Sequence, residues 1–396
     1  MLQPIRLLAF ILLLPVSVFA SDGSHNVHLR SDFQNCRGQF EQKKSGHVAF
    51  IGGSITEMNG YRPMVCEFLQ LRFPDTKFNF TAAGISSTCS TTGAFRLQRD
   101  VLSKGPVDLF FIEFAVNDDQ DAGHARRECI RGMEGIIRQV RRHNPHADIV
   151  ITYFVNPDML TTLQAGNTPL TSDSHETVAK HYGVTTVNVA KEVAEQISAG
   201  KLTWQTYGGT HPKPAGNRIC ADMIAHHLSN VWAKPLSADA TKHAHAMPAK
   251  PLDPNNYGQA KFVSPKNAEV VNGWKWAVPD WKNLPGSKRS RFTAIDMLSA
   301  EQPGAELKLT FNGKAVGAYI VAGPDAGIVE ASIDDGPFKR FDLYHHFSSG
   351  LHYPRSVIFA ADLEPKEHTL KLRIAKDANK KSVGHAMRII QFEVNE

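Results

Sequence analysis

The 396-residue chain is sparing with cysteine: it has five, and no two stand at the Cys-x-x-Cys spacing of a zinc or redox site. An odd number leaves at least one thiol unpaired even where disulfides form. The ordinary place for Cys36, Cys66, Cys89, Cys129 and Cys220 is therefore an apolar interior. There is also no dense Lys/Arg stripe. The 44 basic residues exceed the 39 acidic ones by only five and are spread along the chain, which argues against a nucleic-acid partner. Gly (29) and Pro (22) stay near average use, so collagen-like and wholly disordered chains are excluded. Past residue 20 no segment approaches the roughly 18 apolar residues of a membrane-spanning helix, and no internal repeat is present. What remains is an ordinary globular composition, 42% hydrophobic and 21% charged. Its length suits two domains at about 100–200 residues each.

The first twenty residues read as a processing signal. Arg6 precedes an apolar run from Leu7 to Val18, and Val18-Phe19-Ala20 offers small residues at the positions a signal peptidase reads. Cleavage is expected after Ala20, giving an exported, secreted or periplasmic protein without stable membrane insertion.

Two periodicities divide the rest. Residues 21–237 alternate short β-rich runs with helical stretches. Strands are expected at His47–Ile51, Lys77–Thr81, Val107–Val116, Asp148–Phe154 and Val184–Val189, and helices at Tyr61–Phe73, Arg126–Arg142, Ser172–His181, Ala190–Ser198 and Pro214–Trp232. This alternation predicts a three-layer α/β/α domain with a five-stranded parallel sheet. Residues 238–256, rich in Ala, Lys, His and Pro, read as a linker or as a loop packed on the first domain. From 257 to 396 seven short strands follow without a helical run, and Asp335-Gly336 marks a hairpin. That pattern predicts an all-β sandwich or jelly roll.

In a parallel sheet ligands bind beyond the C-terminal strand ends, and four segments there carry chemistry. Gly52-Gly53-Ser54 follows the first strand and opens a helix. Ala82-Ala83-Gly84 follows the second, where an absent side chain lets a backbone N–H approach a ligand. Val116-Asn117-Asp118 follows the third, and Thr210-His211-Pro212 precedes the last helix. Each alone is a weak signal, but the ordered set, over residues 44–232, resembles the SGNH hydrolase superfamily of GDSL-type esterases. The resemblance implies a flavodoxin-like fold and serine esterase chemistry without metal or organic cofactor. It implies Ser54 as nucleophile, His211 as general base, and an oxyanion hole from the N–H groups of Ser54 and Gly84 with the Asn117 amide.

The chain departs from the family at one place. An acid commonly stands three residues before the histidine; here that residue is Gly208, and no carboxylate lies from Leu202 to Pro212. Either a Ser–His dyad works with a backbone carbonyl orienting the imidazole, or Asp158 or Asp118 substitutes from another strand end. Glu57 and Arg62 are possible substrate contacts, although Glu57 also suits the first turn of a helix. Trp204 and Tyr207 wall the pocket or pack beneath the histidine loop. Asn79-Phe80-Thr81 matches a glycosylation sequon but falls in a strand expected to be buried.

Polar residues surround these motifs, so the expected substrate is an O-acylated, foremost O-acetylated, carbohydrate, or another small ester. A lysophospholipase or thioesterase of the same fold is the alternative enzyme. A non-catalytic carbohydrate-binding protein on a degenerate scaffold is the alternative class. Trp274, Trp276 and Trp281, and the Tyr344–Phe347 segment, suit either sugar stacking or core packing. Oligomeric state, disulfides and the acyl group are not legible.

Overall fold

The computed structural model describes residues 23–237 and 240–396; the expected leader lies outside them. The first domain runs β1 (Val27–His28), α1 (Gln34–Glu41), β2 (Ser45–Gly52), α2 (Ser54–Glu57), α3 (Tyr61–Arg72), β3 (Lys77–Gly84), α4 (Ser90–Asp100), β4 (Leu109–Glu113), α5 (Arg126–His143), β5 (Asp148–Thr152), α6 (Pro157–Gln164), α7 (Leu170–Tyr182), β6 (Thr185–Val187), α8 (Val189–Ser198), α9 (Trp204–Tyr207) and α10 (Pro214–Val231). The sheet order is β1-β6-β5-β4-β2-β3. The five expected strands pair in parallel, and the two-residue β1, too short for a sequence pattern, adds an antiparallel edge. The chain winds outward in both directions from β2, so the switch point lies at the C-terminal ends of β2, β3 and β4.

Position in the sheet explains the strand compositions. Central β4 is buried throughout and is apolar on both faces. Edge strand β3 leaves Lys77 and Asn79 exposed, so the sequon residue Asn79 is on the surface, contrary to expectation. Helix α4 escaped the periodicity reading because its buried face starts with small polar residues, Ser90, Thr91 and Thr92.

Residues 240–256 form a strap packed on the first domain rather than a free linker. His245 Nε2 lies 2.9 Å from the buried Asp148 carboxylate, and His181 Nε2 meets Lys250 O at 2.9 Å. Buried Glu134 receives the N–H groups of Leu252 and Asp253 at 2.7 and 2.9 Å and the Tyr182 hydroxyl at 2.7 Å. His245 thus fastens this polar stretch to the first domain.

The second domain contains β7 (Ala260–Val263), β8 (Glu269–Asn272), β9 (Lys275–Ala277), α11 (Ser290–Thr293), β10 (Met297–Ala300), β11 (Glu306–Gly313), β12 (Ala315–Ala322), β13 (Ile328–Ile333), β14 (Lys339–Asp342), β15 (Tyr353–Ala360), β16 (Lys366–Ile374) and β17 (Met387–Asn395). All seven expected strands are present; the four earlier ones are only three or four residues long. One sheet has the order β15-β12-β17-β10-β9, with β7 also on β17, and the other β14-β13-β16-β11-β8. Strands β10 to β17 thereby take the order of a jelly roll. Leu307, Leu309, Leu370 and Leu372 face Val316, Ala318 and Ile320 in its core.

Strand β12 is buried along its whole length because its other face meets the first domain. Tyr319 and Val321 join Ile85, Phe292 and Ile390 in a cluster shared by both domains. Phe262 stacks on Tyr319 at 5.7 Å, with the Arg99 guanidinium 4.8 Å from the Phe262 ring. Arg127 and Arg131 of α5 both reach Asp253 of the strap and Asp362 of the jelly roll.

Glu134→Ala strands two backbone N–H groups and the Tyr182 hydroxyl, and should cost about 3 kcal/mol in denaturant unfolding. A midpoint equal to that of the parent protein would show that the strap is not held as described.

Candidate active site

At the switch point the chain leaves β2 through Gly52-Gly53 and turns at once into α2, which Ser54 opens. In a first helical position the Ser54 N–H has no intrahelical acceptor. The turn needs its glycines. A Cβ on Gly53 would stand 1.9 Å from Asn117 Oδ1, so the Asn117 side chain lies directly over Gly53. A Cβ on Gly84 would stand 2.3 Å from Glu57 N, so the end of β3 passes immediately under α2. Ser54, Gly84 and Asn117, distant in sequence, therefore meet at three adjacent strand ends.

A residue that the motif reading missed holds this junction. Arg96 of α4 is fully buried, and its guanidinium donates to Ala83 O at 2.7 Å, Gly52 O at 3.0 Å and Thr88 Oγ1 at 3.3 Å. Asp100 supplies the counter-charge at 3.0 Å. Beneath the turn, Glu113 at the end of β4 is buried with Thr56 Oγ1 at 3.3 Å. Burial pushes its pKa up to about 8, against the hydrogen bonds from Thr56 and the Gly53 N–H.

His211 arrives on the loop before α10 and places Nε2 2.8 Å from Ser54 Oγ. That loop is pinned by a second unexpected residue, Asn217, whose amide donates to Pro212 O at 2.6 Å and accepts from Tyr61 N at 2.8 Å. Among the described residues no carboxylate or carbonyl is hydrogen-bonded to His211 Nδ1. Gly208, where the family's acid commonly stands, has φ +116°, and a Cβ there would lie 2.1 Å from Lys213 N. Lys213 N bonds Tyr207 O at 2.8 Å, closing the loop on the space a side chain would need.

Neither substitute acid reaches the imidazole. Asp158 is exposed on α6 and makes no hydrogen bond or ion pair with His211. Asp118 is fully buried and committed elsewhere, accepting from Ser90 N at 2.7 Å and Ser90 Oγ at 2.6 Å and meeting His175 Nε2 at 2.9 Å. Burial alone would raise its pKa, but His124 and His175 hold the carboxyl well below the usual carboxylate range. Cys89, Cys129, His124 and His175 surround Asp118 at spacings a metal could bridge. Its two oxygens are already occupied by Ser90 and His175, while the Nδ1 atoms of His124 and His175 are buried without a hydrogen-bond partner. All five cysteines are unpaired.

Glu57 is neither free nor only a helix-start charge. Its carboxylate takes Ser86 N at 2.7 Å, the Ser86 hydroxyl, and Arg291 of the second domain at 2.8 Å. Arg62 is turned back onto Thr56 O and Asn59 at 3.2 and 3.3 Å. Tyr207 is buried and Trp204 half-buried, their rings 5.5 Å apart beneath the histidine loop, which favours packing. Trp274 belongs to the jelly-roll core, Trp281 packs on His352 at 5.0 Å, and Trp276 is exposed beside Lys266. Sequence reasoning could not foresee that the second domain reaches this rim. Arg289 donates to Ser86 O at 2.8 Å and Ser87 Oγ at 2.9 Å. A cleft of about 550 Å³ between the domains is lined by Glu57, Ser86, Arg289, Arg291 and Phe292.

A doubly wound domain with a serine–histidine pair at its switch point and a glycine and an asparagine on the neighbouring strand ends has the architecture of SGNH-type ester hydrolases. Residues 50–219 match the GDSL-like lipase/acylhydrolase family. In this domain the chain resembles that family of carboxylic ester hydrolases, and it carries an appended β domain. No curated protein matches the sequence. Among solved structures, a two-domain esterase active on acetylated mannans, co-crystallised with mannopentaose, is similar at TM-score 0.75 and 18% identity, over 94% of this chain and 98% of that one. A second structure of such an esterase gives 0.75 and 19% over the same shares. An acetylxylan esterase from Geobacillus stearothermophilus is similar over 46% of this chain and 94% of its own, at TM-score 0.35 and 18% identity.

Arg96→Met removes the side-chain donors from two buried carbonyls and one of the two cations on Asp100, leaving Arg99 at 2.6 Å. It should cost 3 kcal/mol or more, to within about a factor of two, and a native-like melting curve would contradict this. Glu113 makes a separate, pH-dependent contribution. Its folded pKa is raised, so the stability it lends is full at low pH and is lost as pH rises toward and through about 8. Glu113→Gln should flatten the decline of the melting temperature between about pH 5 and about pH 8.5. Parallel pH profiles for parent and variant would show that Glu113 does not hold its proton in the folded state.

Proposed function

We propose that the protein is an exported serine esterase that removes O-acyl groups, acetyl foremost, from carbohydrate. The observation that carries the reading is the 2.8 Å contact between Ser54 Oγ and His211 Nε2, made where the Asn117 side chain and Gly84 converge. Ser54 attacks the ester carbonyl while His211 takes its proton. The N–H groups of Ser54 and Gly84 and the Asn117 amide receive the developing oxyanion, each such donor being worth about 3 kcal/mol in the transition state. His211 then protonates the departing sugar hydroxyl. Water, activated by the same imidazole, releases the acid and regenerates Ser54.

The pair works as a dyad. Gly208 is fixed by its backbone as a residue without a side chain, Asp118 is engaged by Ser90 and His175, and Asp158 is exposed on α6. Carbohydrate as leaving group is supported by the polar interdomain cleft beside Glu57 and by the two-domain likeness to an esterase active on acetylated mannans. Export rests on the leader at 1–20.

Mature protein should hydrolyse p-nitrophenyl acetate faster than butyrate or octanoate and should release acetate from acetylated mannan. Ser54→Ala and His211→Ala should each lower kcat by about 10⁴-fold or more. Octanoate preference would point to a lipid ester instead, and turnover unaffected by Ser54→Ala would overturn the mechanism. Gly208→Asp should lower both stability and kcat, because the carboxylate has no room. A rise in kcat would show that the loop accepts a third member.

A further inference from the structure

The second domain also touches the site at a place where the first domain's chemistry is set. Tyr353, on the first residue of β15, is almost wholly buried and donates its hydroxyl to Asp121 Oδ1 at 2.8 Å. The other oxygen of the same carboxylate, Oδ2, accepts Asn117 Nδ2 at 2.8 Å, with Gln120 Nε2 at 3.3 Å. All three side chains lie under the turn that follows β4, and the chain of contacts crosses the domain boundary once. We propose that Tyr353 and Asp121 are positioning residues: the jelly-roll domain, through the hydrogen-bonded chain Tyr353–Asp121–Asn117, fixes which way the Asn117 amide faces and so sets the oxyanion hole. This rests on the reading of Asn117 as an oxyanion donor.

The physical argument is one of donors and acceptors. An ionised carboxylate only accepts, so it binds the NH₂ end of an asparagine and repels its carbonyl end. With one Nδ2 hydrogen held by Asp121, the amide plane is fixed and its second hydrogen stays free for a developing oxyanion. Asn117 Oδ1 is left buried without a partner, over Gly53. If the amide flipped, this acceptor would face the carboxylate and the donor would be lost from its place. A protonated Asp121 could donate to Oδ1 and would tolerate the flip, so the orientation depends on Asp121 staying charged. Burial raises the Asp121 pKa, and the Tyr353 hydroxyl, Gln120, Asn117 and the Arg289 charge oppose that rise. The other titratable groups facing it are Glu113 below the turn and His345. His345 stacks on Tyr353 at 4.8 Å and bonds the Asp121 backbone, and burial lowers its pKa to about 4. Tyr353 is thus the neutral donor that the second domain contributes to keeping the carboxylate ionised.

The test uses full-length mature protein with p-nitrophenyl acetate across pH, comparing the parent, Tyr353→Phe, Asp121→Asn and the double variant, each checked by thermal melting. Tyr353→Phe should lower kcat about tenfold, with KM held within about twofold, and should move the acid limb of the kcat profile to higher pH. Asp121→Asn should lower kcat at least as much. The double variant should be no slower than Asp121→Asn alone, because the two act through one path. Should Tyr353→Phe not fold, Asp121→Asn carries the test from the first domain. Parent-like kcat in a folded variant, or losses that multiply in the double variant, would overturn the chain while leaving the esterase reading intact. A parent protein without Ser54-dependent turnover would overturn both.

Discussion

The Arg96 guanidinium is the contact on which the site's geometry depends. Two strand-end carbonyls, Gly52 O and Ala83 O, precede the two residues whose backbones must converge, Ser54 and Gly84. One buried cation ties both. A planar guanidinium suits this because its donors point in fixed directions, whereas a lysine would offer a single mobile charge. Taking a cation out of water is costly, and Asp100 offsets part of that cost at 3.0 Å. A charge this deeply placed is retained for the arrangement it enforces: β2 and β3 end in register, and α2 starts directly above Gly84.

Around that junction each domain supplies what the other lacks. The α/β domain brings Ser54, Gly84, Asn117 and His211 together from four separated segments. The jelly roll fills the open side of the rim with Arg289 and Arg291 and backs the Asn117 turn with Tyr353. The strap at 240–256 and the paired arginines of α5 keep the two bodies in contact, and β12, buried on both faces, belongs as much to the interface as to the sandwich. Docking is thus continuous with the site.

Local patterns made the frame legible. Continuous apolarity marked β4, the 3.6-residue spacing of Ile130, Met133, Ile136, Ile137 and Val140 marked α5, and a succession of short strands without a helical run marked β11–β17. The four motif segments lay at strand ends and a helix start, so Ser54 and His211 could be named before any coordinates, and they stand 2.8 Å apart. The supports were not legible, for physical reasons. Arg96 and Asn217 sit on helices where nothing local distinguishes a buried polar anchor from a solvent-facing residue. Glu57, read from its helix position, takes its partner Arg291 from 234 residues away. The strap carries no periodicity because its backbone bonds to side chains such as Glu134 rather than to a ladder. Gly208 was visible as a missing acid. That the acid is excluded by φ +116° and the approach of Lys213 N needed the folded loop.

The central claim is that Ser54, served by His211 without a carboxylate behind it, carries the acyl group. The direct measurement is acid quench of the full-length enzyme during turnover of an acetyl ester, followed by peptide mass spectrometry. The account predicts an acetyl group on the peptide containing Ser54, at a level that falls when Arg96 or His211 is replaced. An acetyl group on a different residue, or turnover with Ser54 never modified, would contradict it.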